Sequence, residues 1–111
     1  MAEIKPKKQI VLTEQANDFI MSLPVGALTD MRKAISNLSM LGRLTVPDAK
    51  KIGDNLFEIR VKSDNLQCRA FYCYTIVGNV IYILSGFIKK TQKTPLQEIR
   101  KAMTIKRRLG L

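Results

Sequence analysis

The segment Leu56-Phe-Glu-Ile-Arg-Val-Lys-Ser-Asp-Asn-Leu-Gln-Cys-Arg-Ala-Phe-Tyr-Cys-Tyr-Thr-Ile76 decides the fold. Apolar and polar side chains alternate over residues 56–62 and again over 67–76, which predicts two β-strands joined by a turn at 63–66. A second turn signal, Gly78-Asn79, precedes an apolar run over 80–87. The pattern therefore predicts a three-stranded antiparallel meander.

Two helices are predicted before these strands. Thr13 is a suitable N-cap for a helix that ends near residue 22 or 23, and Pro24 and Gly26 then interrupt the pattern. A second helix is predicted over 27–41, because apolar residues recur at helical spacing and Gly42 follows where a C′ glycine belongs. We expect the two helices to form a hairpin that covers the apolar face of the sheet.

The chain termini and one connection complete the predicted organisation. Residues 1–8 read as a loose basic leader, 9–12 as a short edge strand and 43–54 as a loop. Thr94 predicts the N-cap of a C-terminal helix, with Pro95 as its first residue. Gln97 would complete the capping box, and the apolar face would hold Leu96, Ile99, Ala102, Met103, Ile105 and Leu109. The sequence thus predicts one α+β domain over residues 1–111, with the helical hairpin packed on a small antiparallel sheet and a helix at the C-terminus.

Composition restricts the classes of function. The 111 residues carry a net charge of +10, and residues 56–111 hold 11 basic and 3 acidic side chains. This asymmetry indicates a polyanionic partner, either nucleic acid or an acidic protein, with a solvated basic surface as the alternative. The absence of histidine excludes a Cys/His metal site and a histidine base. Since there is neither a signal-peptide core nor an apolar run of membrane length, we expect a cytoplasmic location and no membrane partner.

The segment Ser85-Gly-Phe-Ile-Lys-Lys-Thr-Gln-Lys-Thr-Pro95 joins the third strand to the C-terminal helix. It contains three lysines and no acidic residue. Cationic donors at a junction between a strand and a helix suit a phosphate-bearing ligand.

The register of the first hairpin places two arginines opposite each other on neighbouring strands. If Asp64-Asn65 are the central residues of the turn, Arg60 faces Arg69 directly, and facing like charges repel. A bound anion would relieve the repulsion, and so would Glu58 through a surface ion pair. Both explanations remain open at the level of the sequence.

The register of the second hairpin determines which face Phe87 occupies. If Gly78-Asn79 form the turn, Phe87 lies on the apolar face under the helical hairpin, whereas one more residue in either turn would move Phe87 or the arginines to the other face. Cys68 and Cys73 lie five positions apart on one predicted strand, so they point to opposite faces and should not form a disulfide.

Three motifs resemble one known family. They are Asn55-Leu-Phe-Glu-Ile-Arg60, Cys68-Arg-Ala-Phe-Tyr72 and Ile83-Leu-Ser-Gly-Phe-Ile-Lys-Lys-Thr-Gln-Lys-Thr-Pro95, the last followed by Glu98-Ile99 and Ala102. The chain is similar to the phage-derived, HigB-like branch of the RelE/ParE toxin superfamily over about residues 50–105. Phe57 and Ile59 depart mildly from the tyrosine and leucine of that family's first motif.

The resemblance implies a RelE-like fold and the toxin of a type II toxin–antitoxin pair. Such a toxin is a ribosome-dependent endoribonuclease that cleaves translated mRNA and inhibits growth. Its partners would be the ribosome, mRNA and a cognate antitoxin, commonly a helix-turn-helix protein, which should present an acidic surface to this basic chain. Carried over by motif, the functional residues are Arg60, Arg69, Phe87, Lys89 and Lys90, with Lys93 as a further candidate for RNA binding.

These residue types suit metal-independent cleavage, in which the 2′-hydroxyl attacks the adjacent phosphorus. Arg60 and Arg69 would stabilise the phosphorane, and Lys89 or Lys90 would transfer a proton. Phe87 would either stack on an unpaired base or close the core. The C-terminal cluster of Lys106, Arg107 and Arg108 would grip ribosomal RNA or the antitoxin.

No metal and no small-molecule cofactor is expected. Two other functions fit the same sequence: a ParE-like gyrase inhibitor, and a basic nucleic-acid-binding module without enzymatic activity.

Overall fold

The computed structural model describes residues 5–75 and 78–111. Within these residues, five strands and three helices follow one another. In sequence order they are β1 (Gln9–Leu12), α1 (Glu14–Met21), α2 (Val25–Leu41), β2 (Ala49–Gly53), β3 (Leu56–Ser63), β4 (Leu66–Tyr74), β5 (Val80–Ile88) and α3 (Leu96–Arg108). The predicted α+β fold, with a helical hairpin before the sheet and a helix after it, is confirmed.

The sheet has the strand order β1-β5-β4-β3-β2 and is mixed. The predicted meander forms its centre, where β3, β4 and β5 pair antiparallel. β1 is an edge strand, as predicted, but it pairs parallel to β5. The prediction of a purely antiparallel sheet is therefore incomplete, because parallel pairing across about 70 residues leaves no turn signal in the sequence.

The other edge strand was missed. Residues 43–54 do not form a loop throughout, since β2 occupies Ala49–Gly53 and pairs antiparallel with β3. A register shift between Lys51 and Gly53 interrupts this pairing. Two adjacent lysines and the interrupted register hide the alternation by which a strand is recognised in sequence.

Helices cover both faces of the sheet. α1 and α2 pack on one face through residues such as Ile20, Met31 and Leu38, which are buried against Ile59 and Ile83 of the sheet. α3 packs on the other face and contributes Ala102 and Ile105 to a second cluster that also contains Leu56, Phe71, Cys73, Leu84 and Phe87. The helical hairpin thus lies where the sequence predicts it, and α3 occupies the opposite layer.

The ends of the first two helices follow the predicted chemistry. The Thr13 hydroxyl accepts a hydrogen bond from Ala16 N at 3.1 Å, as an N-cap should. The same hydroxyl donates to Leu84 O at 2.6 Å, which ties the start of α1 to β5. Gly42 ends α2 in the left-handed conformation with φ 79°, which favours glycine. α2 begins at Val25, two residues earlier than predicted, because Pro24 ends the preceding turn and can stand directly before a helix.

The start of α3 differs from the prediction. The helix begins at Leu96 with Pro95 in the N-cap position, and no side chain caps it. Thr94 does not act as the N-cap, because its hydroxyl donates instead to the Glu58 carboxylate at 2.7 Å. A charge-assisted bond to a buried carboxylate is stronger than a capping bond to a backbone amide.

The first hairpin has the predicted register and the second does not. Ser63 pairs with Leu66 across a two-residue turn, and Arg60 pairs with Arg69. In the second hairpin the last bond before the turn joins Thr75 N to Val80 O, so pairing begins two positions away from the predicted register. Ile76, predicted to end the middle strand, lies outside the described residues.

A bulge in β5 moves Phe87 to the other face of the sheet. Tyr72 pairs with Ile83, whereas Phe71 pairs with Ser85, so one extra residue of β5 lies between these pairs. Beyond the bulge Phe87 pairs with Arg69. The prediction that Ser85 and Phe87 share the face of the helical hairpin is wrong, since an extra residue reverses every later side chain.

The described part of the predicted basic leader is attached to α2. Lys8 N donates to Ser39 O at 3.1 Å, and the Ser39 hydroxyl donates to Lys8 O. The first four residues of the leader lie outside the described residues.

Gly86 permits α1 to approach β5. A Cβ atom at this position would lie 2.8 Å or closer to three ring carbons of Phe19. We expect Gly86→Ala to lower the free energy of unfolding by about 1–3 kcal/mol, because the ring must be displaced from a packed position. Urea denaturation measures this change, and Gly53→Ala is the matched control because nothing lies within 4 Å of its added Cβ. Equal effects of the two substitutions would contradict the close packing of α1 on β5.

The two cysteines are free and buried, one in each layer. Burial raises the pKa of Cys73 to about 11 and also raises the pKa of Cys68, which Arg69 partly offsets. Because the thiolate is the reactive form, both thiols should resist a disulfide exchange reagent at pH 8 in the folded protein and react fully in denaturant. Rapid labelling of either cysteine without denaturant would contradict the burial of these positions.

Candidate functional site

The charged end of the sheet lies on the face that carries α3. Arg60 and Arg69 pair across β3 and β4, and Arg69 pairs in turn with Phe87 of β5. In the neighbouring row, Lys62 pairs with Gln67, whose carbonyl accepts from Lys89 N at 2.7 Å. Partners in antiparallel pairs share a face, so β3, β4 and the residue that follows β5 bring basic side chains together beside the start of α3.

Glu58 lies under the two arginines and is fully buried, with 0% of the residue exposed. Its Oε1 lies 3.3 Å from Arg60 Nε and 3.5 Å from Arg69 Nε. Its Oε2 accepts a hydrogen bond from the Thr94 hydroxyl at 2.7 Å. Glu58 therefore relieves the repulsion between the arginines, but as a buried carboxylate and not as the surface ion pair that the sequence suggested.

Arg69 is nearly enclosed and is held by its two outer nitrogens, whereas its buried Nε has no hydrogen-bond partner among the described residues. Its Nη1 donates to Cys68 O at 3.2 Å, and its Nη2 donates to Gln67 Oε1 at 2.9 Å. Only 8% of its side chain is exposed. Burial lowers the pKa of Arg69, Glu58 raises it and Arg60 lowers it further. The guanidinium nonetheless remains charged at neutral pH, since arginine loses its proton only far above that range.

Arg60 is the more accessible arginine, with 29% of its side chain exposed. Glu58 accepts from its Nε, and within residues 5–75 and 78–111 its two outer nitrogens have no protein acceptor. A guanidinium whose outer N–H groups are free can bind two oxygens of one phosphate. The geometry thus makes Arg60 the arginine that can contact a ligand.

The loop between β5 and α3 carries the predicted lysines. Lys89 continues the β5 ladder opposite Gln67, so it lies on the face of the arginines, whereas Lys90 is the next residue and is exposed. Lys93 is also exposed, and its carbonyl accepts a bond from the Thr91 hydroxyl at 2.8 Å. The loop borders a polar cleft of about 440 Å³ lined by Asn65, Gln67, Lys89, Lys90, Thr91 and Gln92.

Phe87 lies beside Arg69 and is mostly buried, with 7% of the residue exposed. Its ring stacks on Phe71 with a centroid distance of 5.6 Å and an interplanar angle of 25°. The ring belongs to the cluster under α3. Its contact with an unpaired base stays a prediction.

The C-terminal cations lie away from the arginine pair. Lys106, Arg107 and Arg108 form the last turn of α3, about 15 Å or more along the helix axis from its first residue, Leu96. Lys106 Nζ donates to Asp54 O at 3.2 Å, in the turn between β2 and β3. The fold therefore separates these three residues from Arg60, Arg69 and Lys89.

Three contributions to this site were not predicted from the sequence: the burial of Glu58, the bond that it accepts from Thr94 and the bond that Gln67 accepts from Arg69. The first could have been found from the register, because Glu58 precedes Arg60 by two positions on the same face of β3. Thr94 gave a misleading signal, since a threonine before proline also fits an N-cap.

Within the described part of the chain, no three His, Cys, Asp or Glu side chains gather as a metal site would require, and no helix has the length and apolarity to cross a membrane.

Comparison with known proteins identifies the fold and then the family. The structure is similar to a chain of the toxin–antitoxin complex RelBE2 from Mycobacterium tuberculosis, with a TM-score of 0.58, 18% sequence identity, and coverage of 76% of this chain and 99% of that one. The molecule therefore has the fold of the RelE-type toxins, as predicted. Residues 18–107 match the family described as "Phage derived protein Gp49-like", and the chain belongs to that family. No curated protein sequence matches it.

Proposed function

We propose that this protein is the toxin of a type II toxin–antitoxin pair, of the HigB-like kind, and that it cleaves translated mRNA on the ribosome. The observation that carries the proposal is the gathering of Arg60, Arg69 and Lys89 on one face of a RelE-type sheet. The structural neighbour was crystallised as a toxin–antitoxin complex, which supports the same class. The net charge of +10 suits a polyanionic substrate.

In this proposal the chain's own residues supply charge and proton transfer. The 2′-hydroxyl attacks the adjacent phosphorus, forming a cyclic phosphate as the bond to the 5′-oxygen of the next nucleotide breaks. Arg60 contacts the phosphate oxygens and stabilises the charge that develops on them, while Arg69 adds a second fixed positive charge behind it. Lys89 would take up the 2′-hydroxyl proton or supply a proton to the departing 5′-oxygen, and its backbone bond to Gln67, two residues before Arg69 on β4, supports this role.

The RNA would lie across the arginine face and the polar cleft beside it. Amide and ammonium groups around the cleft can hydrogen-bond to base edges and phosphates. The ribosome would hold the mRNA against this open surface. We therefore expect little cleavage of free RNA, and equal cleavage of free and ribosome-bound RNA would count against the role of the ribosome.

The antitoxin would neutralise the basic surface. Met103, an exposed apolar residue of α3, lines a groove of about 360 Å³ between α3 and the turn from β2 to β3, together with Ile99. Lys106 and Arg107 also line this groove. An acidic amphipathic segment of a helix-turn-helix antitoxin would fit such a surface, with its apolar side in the groove and its carboxylates near the two cations.

Induction of the protein in growing bacteria, followed by mapping of mRNA 5′ ends, tests the proposed function. Arrested growth with new cuts inside translated reading frames supports the endoribonuclease. Arrest with broken DNA and intact mRNA would instead support a ParE-like gyrase inhibitor. Normal growth together with salt-dependent RNA binding would indicate a basic binding module without enzymatic activity.

Substitution of the loop lysines tests the assignment of proton transfer. Lys89→Ala should lower the cleavage rate about 100-fold, as removal of a general acid or base does. Lys90→Ala should cost less, because Lys90 lies one position further along the loop and is more exposed. Cleavage in a translation extract measures both rates, with Lys101→Ala as a control that removes an exposed lysine from α3. A larger loss of cleavage rate for Lys90→Ala than for Lys89→Ala would indicate that Lys90, and not Lys89, transfers the proton.

A further inference from the structure

Glu58 connects both arginines to the loop that carries the lysines. One carboxylate oxygen lies 3.3 Å from Arg60 Nε and 3.5 Å from Arg69 Nε, and the other accepts from the Thr94 hydroxyl at 2.7 Å. Because Glu58 is fully buried, its carboxylate cannot touch a ligand. Any effect of Glu58 on a ligand must therefore pass through the groups that it holds.

The two arginines differ in the atoms that remain available. Arg69 directs its outer nitrogens to Cys68 O and Gln67 Oε1, and its side chain is nearly buried. Arg60 gives only Nε to Glu58, and its outer nitrogens have no acceptor within the described residues. Glu58 thus binds Arg60 through Nε and leaves the two outer nitrogens of the guanidinium free for a ligand.

The charges of this group are unequal in number. One carboxylate faces two guanidiniums, so a charge of +1 remains on the three side chains. The remaining charge can be used by a ligand only at Arg60, since Arg69 is enclosed. A buried carboxylate that is also bonded to Thr94 restricts the position of the loop next to this charge.

We propose that Glu58 is a positioning residue, which fixes the Arg60 guanidinium for a phosphate of single-stranded RNA and, through Thr94, holds the β5–α3 loop beside it. The proposal rests on the proposed function, which supplies the RNA as the ligand. It assigns a different role to each residue. Arg60 contacts the phosphate, and Glu58 holds Arg60 in position while it also contacts Arg69 and Thr94.

Simple electrostatics predicts the opposite of this proposal. A carboxylate close to an anion site repels the anion, so its removal should strengthen RNA binding. If Glu58 positions Arg60, its removal should weaken binding even though the net charge of the protein rises. The sign of the change therefore separates the two explanations.

Binding of a short, fluorescent single-stranded RNA oligonucleotide to the purified full-length protein measures that sign. We expect Glu58→Gln to weaken binding roughly tenfold, because a charge-assisted contact from a fixed guanidinium is lost. Glu98→Gln makes the same change of residue and charge in the first turn of α3 and should bind as tightly as the wild type or more tightly. Glu58→Gln binding as tightly as Glu98→Gln would overturn the proposal.

Thr94 provides a test that leaves every charge in place. Thr94→Val removes the hydroxyl that bonds to Glu58 and should weaken RNA binding, whereas Thr94→Ser keeps a hydroxyl and should restore it. If Glu58→Gln does not fold, the RNA affinities of these two Thr94 variants still test the proposal. Thr94→Val with the affinity of the wild type would show that the loop does not depend on this bond, and would overturn the proposal.

The arginine side-chain NMR spectrum reports positioning without any ligand. The Nε–H signal of Arg60 should be visible and slow to exchange in the wild type and in Glu98→Gln, and lost to exchange in Glu58→Gln. The protein could show these effects of Glu58→Gln on RNA binding and on the Arg60 signal, yet neither arrest growth nor cleave mRNA. That result would contradict the proposed function but support Glu58 as a positioning residue. A wild-type protein with no affinity for RNA would overturn the present proposal, whatever the growth assay shows.

Discussion

Replacement of Arg60 by alanine should lower the rate of mRNA cleavage about 1,000-fold, as the loss of a fixed donor to a developing oxyanion does in other enzymes. Arg60 is the arginine whose outer nitrogens are free to meet a phosphate, and 29% of its side chain is exposed. Arg60→Lys should recover part of the rate at most, because an ammonium keeps the charge but lacks the fork that matches two phosphate oxygens.

Cleavage during translation in an extract, read from the mRNA 5′ ends, measures this effect. Arg100→Ala is the matched control, since it removes an exposed arginine from α3 and changes the net charge by the same amount. Thermal unfolding should show that Arg60→Ala remains folded. If Arg60→Ala cleaves as fast as Arg100→Ala, Arg60 takes no part in the reaction.

Replacement of Arg69 by alanine should instead lower the free energy of unfolding by about 3–5 kcal/mol, the usual cost of leaving a buried charge without its partner. Arg69 is enclosed by Glu58, Gln67 and the Cys68 carbonyl, and 8% of its side chain is exposed. Its loss would leave the buried Glu58 carboxylate with Arg60 and Thr94 alone. For a domain of this size, such a loss is a large fraction of the total stability.

Urea denaturation measures the stability of Arg69→Ala, with Arg60→Ala as the control on the facing strand. Arg60→Ala should cost less, because Arg60 is partly exposed and the buried Glu58 keeps Arg69 and Thr94 as partners. The double variant Glu58→Leu/Arg69→Leu removes both buried charges and should lose less stability than Arg69→Ala alone. Equal losses for Arg60→Ala and Arg69→Ala would contradict the unequal burial of the two arginines.

The sequence predicts the arginine pair correctly because the features that place it are local. Asp64 and Asn65 form a two-residue turn, and Asp64 adopts a positive φ of 53°, which such turns require. Once the turn is placed, counting along each strand brings Arg60 opposite Arg69. The helical hairpin follows as well, because Thr13 and Gly42 mark its two ends with their own side-chain or backbone chemistry.

Features that depend on distant parts of the chain could not be predicted in this way. The bulge in β5 interrupts its pairing with β4, and it determines the face on which Phe87 lies. The bond from Thr94 to Glu58 joins residues 36 positions apart, and the local sequence around either residue does not predict it. The candidate site was therefore predicted in its residue types and in one pair, but not in the buried carboxylate at its centre.

The pairing of β1 with β5 also has a consequence for the order in which the protein can fold during synthesis. Gln9–Leu12 are made well before their hydrogen-bonding partner, Val80–Ile88. β1 cannot pair until β5 has been made. The start of α1 is hydrogen-bonded to β5 through Thr13, so it cannot dock before then either. The nascent chain thus has no complete sheet, and no assembled arginine face, until synthesis has passed Ile88.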